Sequence, residues 1–307
     1  MTDASLAILY ALFVWWFSTG LVFLVVLRRR AAVRAGLIGA AALFPICLVV
    51  LAASAGMTGV AGAYIAFTAA VVLWGTQEVA FLTGFLTGPR PLPCPPGATG
   101  LDRLAAALGA ILYHELALLV TSGAVVAVTW QSANPFGAET FLVLWIMRVS
   151  AKLNLFLGVP VLNDEVMPER IAYLRTYFRR GPVNPLFPLC ALVAVLLVAG
   201  FVEAAADPQA SRATTVGFSL LVGLTALALA EHAFMLVPLP IARLWKWSTG
   251  AAFPSPARGR RWPREAGSDE GPARLSPLNP AERHRPSSDP TSSGHLLPQA
   301  GEGVRAS

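Results

Sequence analysis

Seven ionisable residues lie inside long apolar stretches of this 307-residue chain: Glu78, His114, Glu115, Arg148, Lys152, Glu231 and His232. A charge at the centre of a hydrocarbon span costs roughly 2.5–3.5 kcal/mol on the mildest scales, so such groups face protein or water and often mark function. Their types allow a definite chemistry. His114 and His232 offer nitrogen ligands of the kind iron, zinc and copper accept, and Glu78, Glu115 and Glu231 offer carboxylates as further ligands, for harder ions too, or as proton acceptors. No helix carries two histidines four apart, so no metal is dictated and no catalytic residue is assigned. The competing reading is structural: three carboxylates, two fixed cations and two imidazoles nearly cancel if clustered, as burial requires, and polar groups bonded across helices hold membrane bundles together.

The elements that must position these groups are helices. The chain is 55% hydrophobic and 13% charged, and its apolar runs recur from residue 5 to about 242. A hydrocarbon core of ~30 Å takes about 20 helical residues to cross, which predicts seven spans at 5–27, 36–55, 61–87, 104–129, 138–160, 187–203 and 213–240. Nothing alternates as barrel strands do, and backbone polar groups in lipid must be satisfied within the segment. The expected fold class is all-α, a polytopic integral membrane protein. On these spans Glu78, Lys152, Glu231 and His114 fall about 8–10 residues from one side of the membrane, roughly 12–15 Å at 1.5 Å per residue. Arg148 and Lys152, four apart, share a helix face that Glu115 and His232 can approach from neighbouring helices.

Loop charge sets the orientation, because cytoplasmic loops are rich in Lys and Arg. Arg28, Arg29, Arg30 and Arg34 follow the first span; Arg90 and Arg103, then Arg170, Arg175, Arg179 and Arg180, then Arg243 and Lys246 return to the same side. Only Arg212 falls opposite. The N-terminus is therefore expected outside and the C-terminus in the cytoplasm. The first span has no basic segment before it and no small-residue cleavage site, so it reads as a retained anchor. Domain organisation is a seven-helix unit over 1–247 and, over 248–307, a basic tail rich in Pro, Ser, Gly and Arg that buries too little to order itself. The net charge of +6 comes mostly from the inside loops and this tail, which points to membrane lipids rather than nucleic acid as a partner.

Cys47, Cys94 and Cys190 make no Cys-x-x-Cys pair, so neither a disulfide framework nor a sulfur-based metal site is expected. The proline-dense loop 88–100 reads as a stiff extended connector, and residues 163–180 as a short amphipathic helix at the interface. Arg90, Cys94, Arg179 and Arg180 in these loops are candidate partner-docking residues. Trp15 and Trp16 stand in mid-span, where they would pack on other helices with Gly20 admitting a close neighbour, or offer a stacking surface to a flat pigment. Trp130, Trp245 and Trp247 read as interface anchors.

Several segments carry a resemblance: Trp-Trp-Phe-Ser-Thr-Gly at 15–20, Gly-Phe-Leu-Thr-Gly-Pro-Arg at 84–90, Cys-Pro-Pro-Gly at 94–97, His-Glu-Leu-Ala-Leu at 114–118, Arg-Val-Ser-Ala-Lys-Leu-Asn-Leu-Phe-Leu-Gly-Val-Pro at 148–160, Tyr-Phe-Arg-Arg at 177–180 and Glu-His-Ala-Phe-Met at 231–235. In these the chain resembles the photosynthetic complex assembly protein PuhE family of anoxygenic phototrophic purple bacteria, over the membrane region and not the tail. The resemblance implies a multi-pass protein of the bacterial inner or intracytoplasmic membrane that helps form the reaction centre and core antenna or modulates bacteriochlorophyll supply. It implies as partners reaction centre or light-harvesting subunits, other assembly factors or pigment-synthesis enzymes, and no catalytic mechanism. Transient holding of bacteriochlorophyll or a precursor, with His114 or His232 as axial ligand to its magnesium, would follow. Two other classes stay open: an intramembrane metal-dependent enzyme acting on a tetrapyrrole or lipid, and a proton- or ion-coupled transporter. The lack of an inverted repeat or of paired broken helices weakens the last.

Overall fold

The structure is a computed structural model and describes residues 2–28, 30–164 and 167–249. It contains seven helices long and apolar enough to cross a membrane: α1 Asp3–Val26, α2 Arg30–Ser54, α3 Val60–Leu82, α4 Gly100–Val128, α5 Phe136–Leu157, α6 Leu186–Ala206 and α7 Arg212–Ala233. A short α8, Lys246–Thr249, follows. The fold is all-helical, as the apolar runs require, and its form is that of a multi-pass membrane protein.

Helix α3 is the hub. In its most apolar window 61% of residues are buried, against 6% for α6, and Ala63, Phe67 and Val71 of α3 pack with Ala7 and Ala11 of α1 and Leu220 and Leu224 of α7. Small residues let these backbones come together, the usual device where lipid supplies no hydrophobic drive between helices. On the other flank Leu73 of α3 meets Leu51 of α2, Leu118 of α4 and Phe141 of α5. Helices α1 and α7 start side by side: Thr2 and Ser211 cap them by accepting the Ser5 and Thr214 N–H, and Arg212 of α7 pairs with Asp3 of α1, Nη2 to Oδ1 2.9 Å.

Three spans end earlier than the hydrophobic runs suggest, all on the side where Lys and Arg gather. Helix α3 stops at Leu82 rather than 87, α5 at Leu157 rather than 160, and α7 at Ala233 rather than 240. Gly158 turns the chain out of α5 with φ +130°, a conformation L side chains resist. Pro238 and Pro240 forbid α7 from continuing. The charged layer therefore sits in the last turns of α3, α5 and α7, while α4 runs past it by more than three turns.

Below those ends the chain does not leave the bundle. Trp245 and Trp247 pack on Trp15, Trp16 and Phe17 of α1, with the Trp245 and Trp16 indoles donating to the Trp16 and Leu244 carbonyls at 2.9 Å each. A Cβ on Gly20 would stand 2.1 Å from the Trp247 ring, so the close neighbour expected at Gly20 is this indole. Trp245 is thus a buried packing residue rather than an interface anchor, while Trp247 lies against α1 and stays partly exposed. Trp16 lies ten residues before Val26, roughly 15 Å along α1 at 1.5 Å per residue. Irregular chain at such depth is tolerated where protein buries it or where it lines a cavity. Ser248 and Thr249, assigned to the tail on composition, are buried in α8; the rest of that tail, 250–307, lies outside the described residues.

Candidate functional site

Two ion pairs organise the layer. Arg148 of α5 donates from Nη2 to Oε2 of Glu78 on α3 at 3.1 Å. One turn on, Lys152 donates from Nζ to Oε1 of Glu115 on α4 at 2.6 Å. The four-residue spacing of the cations places them on one face of α5, and one carboxylate reaches each from a different neighbour. The Lys152 ammonium also lies 5.3 Å over the Phe81 ring, a favourable contact for a cation. Single-partner pairing leaves work undone, since Glu78 Oε1 and Arg148 Nε are buried without a hydrogen-bond partner among the described residues.

The imidazoles do not join this arrangement. His114 is fully buried and stacks on Phe81 with ring centroids 4.2 Å apart; neither of its ring nitrogens has a partner among the described residues. His232 is buried too, with Nε2 at 2.8 Å from Ser150 Oγ and Nδ1 at 2.8 Å from the Ala228 carbonyl. His232 therefore approaches Ser150 rather than the Arg148 and Lys152 face. Among the described residues no three His, Cys, Asp or Glu side chains come together to hold a metal ion. The donor set of His114, His232, Glu115 and Glu231 does not form one site, and the axial-ligand arrangement does not fit as the side chains stand.

The layer opens onto a cavity of about 420 Å3, inside the ~300–1,000 Å3 range of small-molecule sites. Helices α1, α3, α5 and α7 wall it, and Glu78, Arg148, Lys152 and Glu231 line it among aromatic side chains that include Trp15, Trp74, Phe81 and Trp245. Glu231 is exposed to this space and, among the described residues, has neither an ion pair nor a hydrogen bond.

A floor of irregular chain and 3-10 helix covers the basic side. The 3-10 helix Glu169–Tyr177 turns Ile171, Leu174 and Tyr177 onto Phe81 and Ala110, so its apolar face packs on protein rather than on headgroups. Arg170 Nη1 donates to the Val26 carbonyl at the end of α1, 3.0 Å. The proline-dense loop is docked on it as well: Arg90 Nη1 donates to Tyr177 Oη at 2.6 Å, and the Cys94 N–H donates to Thr176 Oγ1 at 2.8 Å. Burial pushes the Tyr177 phenol up, with the Arg90 charge opposing it. Further in, the Arg90 N–H donates to the Gly109 carbonyl and the His114 N–H to the Thr87 carbonyl, both 2.9 Å. A mid-helix N–H ordinarily serves the carbonyl four residues back, so these contacts mark where α4 admits the 87–90 strand of chain. A Cβ on Gly88 would come 2.3 Å from the Gly109 carbonyl oxygen, which explains the glycine in Gly88-Pro89-Arg90.

Of the four docking candidates, Arg90 and Cys94 are thus spent on internal contacts, whereas Arg179 and Arg180 are exposed. Cys47, Cys94 and Cys190 are free thiols. Sequence reading missed the amide knot at the end of α5: Asn184 Nδ2 donates to Asn154 Oδ1 at 3.0 Å and to the Gly158 carbonyl at 2.8 Å, and its Oδ1 accepts from the Leu186 N–H at 3.0 Å. It also missed Arg103, whose guanidinium donates to the Phe156 carbonyl at 3.0 Å. An Asn inside an apolar run and an Arg just within a helix start were the available signals.

Comparison with known proteins places these features in a lineage. A family model described as a protein of unknown function (DUF3623) matches residues 1–255. A protein of Rhodobacter capsulatus described as "Uncharacterized 30.4 kDa protein in puhA 5'region" is 41% identical over 251 residues, covering 80% of this chain and 91% of that relative. No solved structure matches.

Proposed function

The chain belongs to the DUF3623 family, and on that premise we propose that it is an integral membrane assembly factor for photosynthetic pigment–protein complexes, the role its resemblance to PuhE implies. The observation that carries this reading is the 41% identity to a relative described by its place in the puhA 5' region, a photosynthesis gene neighbourhood. The protein acts without catalysis of its own, in the inner or intracytoplasmic membrane of a phototrophic bacterium, N-terminus outside. The charged layer supports this reading as a rigid frame: two cross-helix ion pairs lock α3, α4 and α5 around a cavity. Contact with reaction centre or antenna subunits, or with the enzymes that supply pigment, is made from the basic side, where Arg179 and Arg180 stand exposed. Handling of bacteriochlorophyll uses the aromatic walls of the cavity and not an imidazole–magnesium bond, because His232 is engaged and His114 is stacked on Phe81.

The test is deletion in a phototrophic host, with the near-infrared bands of reaction centre and core antenna measured in isolated membranes. Loss of those bands, restored by the native gene and only in part by an Arg179→Glu, Arg180→Glu variant present at equal level, is the expected result. Unaltered bands and phototrophic growth in the deletion strain would overturn the role. Reporter fusions after residues 57, 133 and 209 should read as outside, and fusions after residues 96 and 249 as cytoplasmic.

A further inference from the structure

Arg148 and Glu231 both line the cavity, and their unused hydrogen-bonding capacity faces it from two helices. Among the described residues Arg148 has one side-chain bond, to Glu78, with 39% of its side chain open. Glu231 has no bond at all, and the two are not within ion-pair distance of one another. A donor and an acceptor held apart across an aromatic-lined space define the polar group that fits between them. A simple anion suits Arg148 and is repelled by Glu231 and Glu78; a simple cation meets the reverse. A neutral oxygen that accepts from Arg148 and donates its own proton to Glu231 satisfies both.

The walls narrow the class further. Trp15, Trp74 and Trp245 line the cavity, and indoles favour a flat ring in offset or edge-on contact. A volume of about 420 Å3 holds a single substituted ring, and access from within a membrane selects an apolar molecule. We propose that the cavity binds a lipid-soluble benzoquinol, with one phenolic hydroxyl between Arg148 and Glu231 and the ring between the indoles. The site is a binding site; no electron transfer is part of the proposal. It goes beyond the assembly role and does not depend on it.

Redox form provides the discriminating feature. The hydroxyl of a quinol donates to Glu231, whereas the carbonyl of the corresponding quinone only accepts, leaving the carboxylate unpaired. A site that pairs with a donor discriminates against the analogue lacking it, because the carboxylate facing the cavity then loses its partner. The probes are decylubiquinol and decylubiquinone, titrated into the purified full-length protein in detergent and followed by quenching of the cavity tryptophans. The expected result is saturable quenching with the quinol bound roughly tenfold more tightly than the quinone, the worth of one hydrogen bond to a charged group. Glu231→Gln, whose amide can donate to a carbonyl, should bring the two forms within about twofold of each other. Gly75→Leu fills the cavity from α3, where an added Cβ meets only Val22 Cγ2 at 3.9 Å, and should abolish binding of both forms with the melting temperature kept. Equal affinity for the two forms in the native protein, or no saturable response, would overturn the proposal. So would a preference that survives Glu231→Gln, or binding that survives Gly75→Leu.

Discussion

Removing the charge of Glu115 isolates what the second ion pair contributes. In Glu115→Gln the Lys152 ammonium keeps its place but loses the carboxylate at 2.6 Å. Breaking a fully buried pair costs about 3–5 kcal/mol, because the surviving charge is left uncompensated. Here the side chains are 20% and 22% exposed, and Lys152 keeps the Phe81 ring at 5.3 Å, so the loss is discounted to about 2–3 kcal/mol. At roughly 2–4 °C per kcal/mol for a helical unit of this size, the melting temperature in detergent should fall by about 4–12 °C. Replacing both partners, Glu115→Gln with Lys152→Met, removes the orphaned charge and should return stability to within about 1 kcal/mol of native. The assay is thermal unfolding of the four proteins of the double-mutant cycle, followed by helical circular dichroism. A coupling energy near 2 kcal/mol is expected, and one below about 0.5 kcal/mol would refute the pairing as a structural lock. Membrane spectra from cells carrying the double variant then separate frame from function: normal pigment–protein complexes mean that charge at 115 and 152 serves the bundle alone.

Three further outcomes follow from particular contacts. His114→Leu deletes an imidazole whose nitrogens have no partner among the described residues; relief of an unsatisfied buried group, about 1–3 kcal/mol, offsets the lost stacking on Phe81, ~0.5–1.5 kcal/mol, so melting should stay level or rise. A drop of several degrees would mean that His114 bonds to something in the cell-derived protein. Gly88→Ala drives a methyl against the Gly109 carbonyl and should cost about 1–3 kcal/mol, with the 88–100 loop becoming cleavable in limited proteolysis; an unchanged digest would contradict the close approach. The Tyr177 phenol is raised by burial, so the folded state holds its proton more tightly than the unfolded one. The resulting stabilisation is full below the ordinary phenol value near ~10 and lost as pH rises through the raised value. Native protein should keep its melting temperature to about pH 9 and lose more above pH ~10 than Tyr177→Phe does.

The seven spans were legible because each is an apolar run long enough to cross a bilayer, and that pattern survives any detail of packing. Their basic-side ends were not. Phe85 and Leu86 after α3, and Met235 to Leu239 after α7, continue the apolar run, so hydropathy cannot tell a helix that goes on from chain that turns away from it. Spacing put Arg148 and Lys152 on one face, and depth brought Glu78, Glu115 and Glu231 level with them, which is why the layer could be anticipated. Side-chain direction could not be read. Whether His114 points to the cavity or to Phe81, and whether His232 meets a carboxylate or Ser150, depends on rotations about the helix axes that the packing of α1, α3 and α7 fixes. Trp245 was misplaced for the same reason: its sequence position after a span suggests the interface, while its partners lie on α1.

The order in which the paired residues occur along the chain bears on how the protein is made. Both acids precede both bases: Glu78 and Glu115 emerge from the ribosome before Arg148 and Lys152. Span α5 carries two cations, each penalised by roughly 2.5–3.5 kcal/mol at a helix centre when it enters lipid alone. If α3 and α4 are already in the bilayer, the carboxylates that will receive those cations are waiting there, and the newcomer leaves the translocon into a complementary neighbourhood instead of into hydrocarbon. The bundle thus supplies its own receptor for its most polar span, and truncation of the upstream helices should leave α5 on the wrong side of the membrane.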